Sequence, residues 1–111
     1  MKRVISVAVV LLFATSVWAQ CDGRYESEIF DELEVTTVEY SDVYNLDVDI
    51  YQPIGDTETS RPLILFAHGG SFYAGAPNSA AMVTLCESFA KRGYVTGSIE
   101  YRLTSAASLT D

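Results

Sequence analysis

Five apolar residues, Leu63-Ile64-Leu65-Phe66-Ala67, run directly into His68-Gly69-Gly70. The run reads as a strand. It does not alternate, so both of its faces are expected to be covered, as in a sheet with helices on each side. Two adjacent glycines open backbone conformations closed to other residues. A chain that turns this way can aim several N–H groups at one point, and such a nest of donors suits a developing oxyanion. The segment therefore commits the chain to a sheet whose strand end delivers a backbone-lined site.

The elements on either side fit a mixed sheet. Residues 20–33 are polar and irregular, with Ile29, Phe30 and Leu33 as anchor points. Residues 35–40 are rich in β-branched side chains and read as a strand, and Ser41-Asp42 begins a turn. Residues 46–51 alternate strictly, with Leu46, Val48 and Ile50 on one face and Asp47 and Asp49 on the other, which predicts a half-exposed antiparallel strand near a sheet edge. The two runs form a hairpin. Pro53 stops the second strand, and residues 54–62, with Gly55 and Pro62, form a surface loop. After the glycines, Asn78 or Ser79 can cap a helix. Met82, Leu85, Cys86 and Phe89 then recur at helical spacing as one apolar stripe. Lys91-Arg92 complements the dipole of the last turn, and Gly93 supplies the stop. Residues 94–101 are the next strand, so strand, loop, helix and strand make a βαβ unit with a parallel pair. Residues 104–111 are small and polar and read as a loop.

Length allows one domain at most among the 111 residues. The beginning reads as a targeting segment. Met1-Lys2-Arg3 is positive, residues 4–18 are uncharged and mostly Val, Leu, Ala and Ile, and Val17-Trp18-Ala19 suits a signal peptidase. A signal peptide over 1–19 is expected, with residues 20–111 as the domain portion and a secreted or periplasmic location. The apolar run is shorter than the roughly 20 residues of a spanning helix. Gln20, ahead of Cys21, does not suit a lipobox. Cleavage removes Lys2 and Arg3, leaving five basic residues against 15 acidic ones and a net charge of −10. That balance argues against nucleic acid, which needs a basic face, and against anionic membrane surfaces.

Cys21 and Cys86 both survive cleavage, and an oxidising compartment permits a bridge. Across a 65-residue separation the chain-entropy model gives roughly 4 kcal/mol. The bridge would pin the irregular N-terminal segment to the helix. The other reading is two unrelated thiols, with Cys86 buried as a small apolar residue.

Three segments resemble α/β-hydrolase esterases, in order. Leu46-Asp47-Val48-Asp49-Ile50-Tyr51-Gln52-Pro53 is similar to the family's "LDVYxP" strand. Arg61-Pro62 with the run into His68-Gly69-Gly70-Ser71-Phe72 is similar to its third strand and HGGG-type oxyanion loop. Gly93-Tyr94-Val95 through Glu100-Tyr101-Arg102-Leu103 is similar to the next strand, which ends in "YRL" in hormone-sensitive-lipase-like and carboxylesterase-like members. The resemblance implies the N-terminal part of an α/β-hydrolase fold, with an antiparallel hairpin leading into a mostly parallel sheet flanked by helices. It implies a carboxylic ester hydrolase that works through an acyl-enzyme, with a small-molecule or polymer-borne ester as substrate and no cofactor. The family's nucleophile lies in a G-x-S-x-G elbow, followed by an acid and a histidine. None of these is in the chain, so an N-terminal fragment, inactive alone, is expected. The alternative is a noncatalytic binding module on the same fold.

By that resemblance Gly70 and Ser71 match the second and third glycines, whose N–H groups help bind the oxyanion; Ser71 departs from the pattern. His68 and Gly69 support the loop. His68 as general base lacks an adjacent nucleophile and acid. Ser71 as nucleophile fails because Tyr73 replaces the closing glycine of an elbow. Ser88-Phe89-Ala90-Lys91 matches S-x-x-K, but Ser88 sits near a helix end rather than its start. One histidine and two distant cysteines do not make a metal coordination set.

Overall fold

The computed structural model describes residues 23–108. The expected signal peptide over 1–19 and Cys21 lie outside the described residues. The chain runs β1 (Leu33–Ser41), β2 (Leu46–Pro53), β3 (Leu63–Ala67), α1 (Ala80–Lys91) and β4 (Val95–Ile99). The four strands form one sheet in the order β1-β2-β4-β3. β1 pairs antiparallel with β2, which pairs antiparallel with β4, and β3 and β4 are parallel. This is an N-terminal α/β-hydrolase sheet: a hairpin entering a βαβ crossover whose second strand sits between β2 and β3.

The alternation along β2 places Tyr51 on the helix side, where it packs with Cys86 and Ala90, and with Leu33 and Phe66 around them. β2 lies one strand in from the β1 edge, as expected of a strand near it, and Asp47 and Asp49 are half-buried. The Asp49 carboxylate accepts from the Thr37 hydroxyl at 2.6 Å.

β4 is the innermost strand. Thr96 and Ser98 are fully buried, and a buried hydroxyl needs a partner. Thr96 donates to the Cys86 carbonyl at 2.9 Å and Ser98 to the Pro77 carbonyl at 2.7 Å. These two bonds fasten the helix, and the loop before it, to the sheet. Gly97 faces the other side, where a Cβ would stand 2.7 Å from Leu65.

Three expectations are corrected. β3 is not covered on both faces: Leu63 and Leu65 are 58% and 57% exposed, because α1 covers only one face of the sheet among the described residues. Ile64 and Phe66 take the covered face, with Phe66 5.8 Å from Phe89. The apolar stripe of α1 centres on Cys86 and Ala90, four residues apart, which leaves Leu85 on an exposed shoulder. Ser79 occupies the helix N-cap, but its side chain makes no capping bond.

The helix stop is as expected. Gly93 has φ +98°, its N–H donates to the Ala90 carbonyl, and the Tyr94 N–H donates to the Phe89 carbonyl. This is a Schellman closure, in which the left-handed residue satisfies the last carbonyls. Here the N-terminal segment docks. The Tyr25 N–H donates to the Arg92 carbonyl, and those of Ile29 and Phe30 donate to the Lys91 carbonyl. Arg24 makes a two-pronged ion pair with Asp56, at 2.9 and 2.6 Å, and also donates to the Gly93 carbonyl. The Ile29 side chain, one of the expected anchor points, is exposed; Arg24 and the backbone bonds of Tyr25, Ile29 and Phe30 pin the segment, and Leu33 packs against the core.

Candidate functional site

β3 delivers His68 to the sheet's end. Its side chain is 5% exposed, and its ring lies 4.3 Å from the Tyr101 ring, nearly parallel at 15°. The Tyr101 hydroxyl donates to the His68 carbonyl at 2.6 Å. His68 Nδ1 is 3.0 Å from the Gly69 carbonyl. A carbonyl oxygen only accepts, so Nδ1 is the nitrogen that carries the proton in this bond. His68 is thus a brace, stacked between β3 and the end of β4, and its Nδ1 is committed to the loop it introduces.

The loop that follows is a backbone knot. The Gly70 carbonyl accepts from the N–H groups of both Tyr73 and Ala74, at 3.0 and 3.1 Å. Gly70 has φ +135°, and a Cβ there would fall 1.7 Å from the Ala74 carbonyl oxygen. Gly75 has φ +111°, and its Cβ would fall 2.3 Å from both Gly69 O and His68 Nδ1. Between these glycines, Ser71 and Phe72 have φ of +55° and +61°. Left-handed backbone on non-glycine residues costs on the order of 1–3 kcal/mol each and clusters at functional sites. Serine at the position of the third glycine is therefore accommodated, at a cost in strain.

The bonds that close the knot use the carbonyl of Gly70, not its donor. Among the described residues, the N–H groups of Gly70 and Ser71 have no protein acceptor. Both residues line a cleft of about 810 Å³. Its walls come from the β3 and β4 ends and from the β1–β2 turn, with Tyr44 and Tyr101 among the lining residues. The chain after β4 is tied to the loop, since the Thr104 N–H donates to the Phe72 carbonyl at 2.8 Å.

The structure brings together four of the expected site residues: His68, Gly69, Gly70 and Ser71. Ser71 does not sit in an elbow, because residues 68–79 separate β3 from α1. Ser88 lies far along α1 and donates to Glu28 at 2.9 Å. Cys86 is buried among core residues, and burial pushes its thiol pKa up. Its expected bridge partner, Cys21, lies outside the described residues. No cluster of potential metal ligands occurs among the described residues. Sequence reasoning missed the roles of Tyr101 and Gly75. Tyr101 stood within the "YRL" segment, but its stacking on a residue 33 positions earlier had no local signal.

Residues 48–111 match the model of the BD-FAE family, an α/β-hydrolase-type family. Among solved structures, the butyrate-bound esterase Est2 of the planctomycete Thermogutta terrifontis is 34% identical, with a TM-score of 0.57, over 64% of this chain and 26% of that one. The same esterase phosphorylated by paraoxon is 32% identical with a TM-score of 0.55, over 77% of this chain and 32% of that one. The sarin-phosphonylated form is 34% identical with a TM-score of 0.54, over 74% and 29%. This chain spans about a third or less of the length of these esterases. No curated protein matches.

Proposed function

From membership of the BD-FAE family, to which this chain belongs, we propose that the full protein is a serine-type hydrolase of carboxylic esters. In this reading the chain supplies the oxyanion half of the site. Attack on the ester carbonyl makes a tetrahedral intermediate whose oxygen carries the negative charge. The N–H groups of Gly70 and Ser71 would hold that oxygen, collapse would expel the alcohol and leave an acyl-enzyme, and water would release the acid. Nucleophile, acid and base are assigned to residues outside 23–108. His68 is not assigned as the base: its ring is buried and stacked on Tyr101, and its Nδ1 meets a backbone carbonyl rather than an orienting carboxylate.

The observation that carries the proposal is the pair of N–H groups left without acceptors in a strained loop on a cleft. Gly70 and Ser71 are exposed, so their N–H groups are open to a ligand with negative charge, and the strained loop holds both at the cleft. The esterase of similar structure is described as phosphorylated by paraoxon, which gives the test. The full-length protein should hydrolyse 4-nitrophenyl butyrate and lose that activity stoichiometrically with paraoxon, with the adduct on a serine outside this chain. Absence of turnover, or an adduct on Ser71, overturns the reading.

Export through the segment 1–19 and a Cys21–Cys86 bridge belong to the same proposal. Both are checked on protein recovered from its own host. N-terminal sequencing should begin at Gln20, and nonreducing peptide mapping should join the two cysteines; two alkylatable thiols refute the bridge.

A further inference from the structure

The described residues that line the cleft contain no Asp or Glu, although the chain carries 15 acidic residues against seven basic ones. They contain one Lys or Arg, namely Arg102. Its guanidinium lies over the Tyr44 ring, 4.1 Å from the centroid. Stacking on one face fixes the plane of the group and leaves the N–H edges available. Arg24 and Arg61 both donate to side chains, and both lie against Asp56. Arg102 has no acceptor among the described residues and is half-buried at the same cleft as Gly70 and Ser71.

We infer that Arg102, held by Tyr44, is a specificity-determining residue that selects esters bearing a free carboxylate on their acyl or alcohol part. The inference rests on the ester-hydrolase reading above. A planar guanidinium edge matches a carboxylate with two parallel hydrogen bonds. Partial burial strengthens that contact relative to an exposed pair. The absence of carboxylates among the described lining residues removes the repulsion that the rest of this acidic chain would impose, and the ring beneath Arg102 lowers the entropy lost when the pair forms.

The test uses the full-length protein and two matched pairs of esters. 4-Nitrophenyl hemiglutarate carries its charge on the acyl part and is compared with 4-nitrophenyl hexanoate. 4-Acetoxybenzoate carries its charge on the alcohol part and is compared with its methyl ester. In the wild type, one charged ester should be preferred over its neutral mate, which shows the side of the ester that Arg102 reads. Arg102→Gln should lower that charged-to-neutral ratio of kcat/KM by about tenfold, mostly through KM, as expected for one charge-assisted contact. Arg102→Lys should keep part of the preference. An unchanged ratio in Arg102→Gln overturns the inference. If that variant does not fold, the wild type decides: KM for the charged ester should rise between about 0.05 and 0.5 M salt while that for its neutral mate stays level. A salt-insensitive KM overturns the inference as well. Failure to cleave any of the four esters breaks the ester reading instead. Glutarate binding by calorimetry then judges Arg102 alone, with affinity unchanged in Arg102→Gln overturning it.

Discussion

The segments flanking α1 both turn through glycines of positive φ, and they differ in what happens to their polar groups. At the C-terminal end, Gly93 completes a Schellman closure, and the neighbouring carbonyls of Lys91, Arg92 and Gly93 all accept from the N-terminal segment. At the other end, the loop before the helix is bent by Gly70 and Gly75, strained at Ser71 and Phe72, and leaves two N–H groups without acceptors among the described residues. The same conformational device therefore serves opposite ends. Where the last carbonyls are satisfied, the turn holds the fold together. Where strain is accepted and donors stay open, the turn is available for charge that develops on a ligand. Variants at the two ends should separate activity from stability.

Gly70→Val should give the largest effect. The added Cβ would fall on the Ala74 carbonyl, so the knot must open and the N–H groups of Gly70 and Ser71 must move. Loss of one oxyanion donor costs on the order of 10²–10³ in kcat. In the full-length protein kcat should fall by about that factor, with KM changed far less, because the interaction forms only in the transition state. Unchanged kcat in a folded variant removes this loop from the oxyanion hole.

The same contrast explains what could be read from the chain. The helix stop was legible because a Schellman closure is local: Lys91-Arg92-Gly93 carries its own signal. The β2 alternation and the His68-Gly69-Gly70 loop were legible for the same reason. Residues that hold these pieces in place were not. Arg24 meets Asp56 across 32 positions, and Tyr101 meets the His68 carbonyl across 33, and neither distance leaves a periodic or spacing signal. Coverage of β3 was misread because an apolar run reports what a strand can bury. It does not report how many layers the neighbouring chain provides. Gly75 looked like ordinary loop composition; only the approach of His68 Nδ1 shows why a side chain there is excluded.

At the satisfied end, Asp56 should matter most. Its side chain is 2% exposed, with Arg24 at 2.6 Å and Arg61 at 3.6 Å. Breaking a buried pair by removing one partner costs about 3–5 kcal/mol. Asp56→Ala should lower unfolding free energy by about 3 kcal/mol, towards the lower limit because Arg24 keeps the Gly93 carbonyl. kcat should change by less than about twofold, an expectation set by the separation of the two ends. The bond from Arg24 holds the Asp56 pKa below its ordinary value, against the opposing effect of burial. A depressed folded pKa means the unfolded chain binds the proton more readily. The contribution is complete above the unfolded pKa of about 3.9 and is lost as pH falls through the folded value. Urea midpoints from pH 6 downward should therefore drop for the wild type below about pH 4, and less so for Asp56→Ala. Parallel pH curves would remove Asp56 from this role.

Gly93→Ala should cost less. Left-handed backbone on alanine costs about 1 kcal/mol, and the added Cβ would stand 2.9 Å from the Arg24 guanidinium, the end of a flexible side chain that can shift. A loss of about 1–2 kcal/mol in thermal or urea unfolding, with kcat intact, is expected. A fall in kcat larger than the fall in stability would show that the two ends of α1 are coupled.

Tyr101→Phe should have the smallest effect, and it tests the contrast most finely. The variant keeps the ring stacked on His68 and removes only the hydroxyl that donates to the His68 carbonyl. Tyr101 touches no reacting atom, so it is a positioning residue that acts through His68 on Gly69 and Gly70. One neutral hydrogen bond contributes about 0.5–1.5 kcal/mol. If the free-donor end is held as a unit, part of that loss should surface in kcat, a several-fold decrease with KM nearly level, while the unfolding midpoint moves little. If the bond only stabilises the fold, the midpoint should fall by the full amount and kcat should not change. A kcat decrease that Tyr101→Phe shares with Gly70→Val in size and in its indifference to KM would place the brace and the donors in one device. An unchanged kcat would confine that device to Gly70 and the two left-handed residues after it, Ser71 and Phe72.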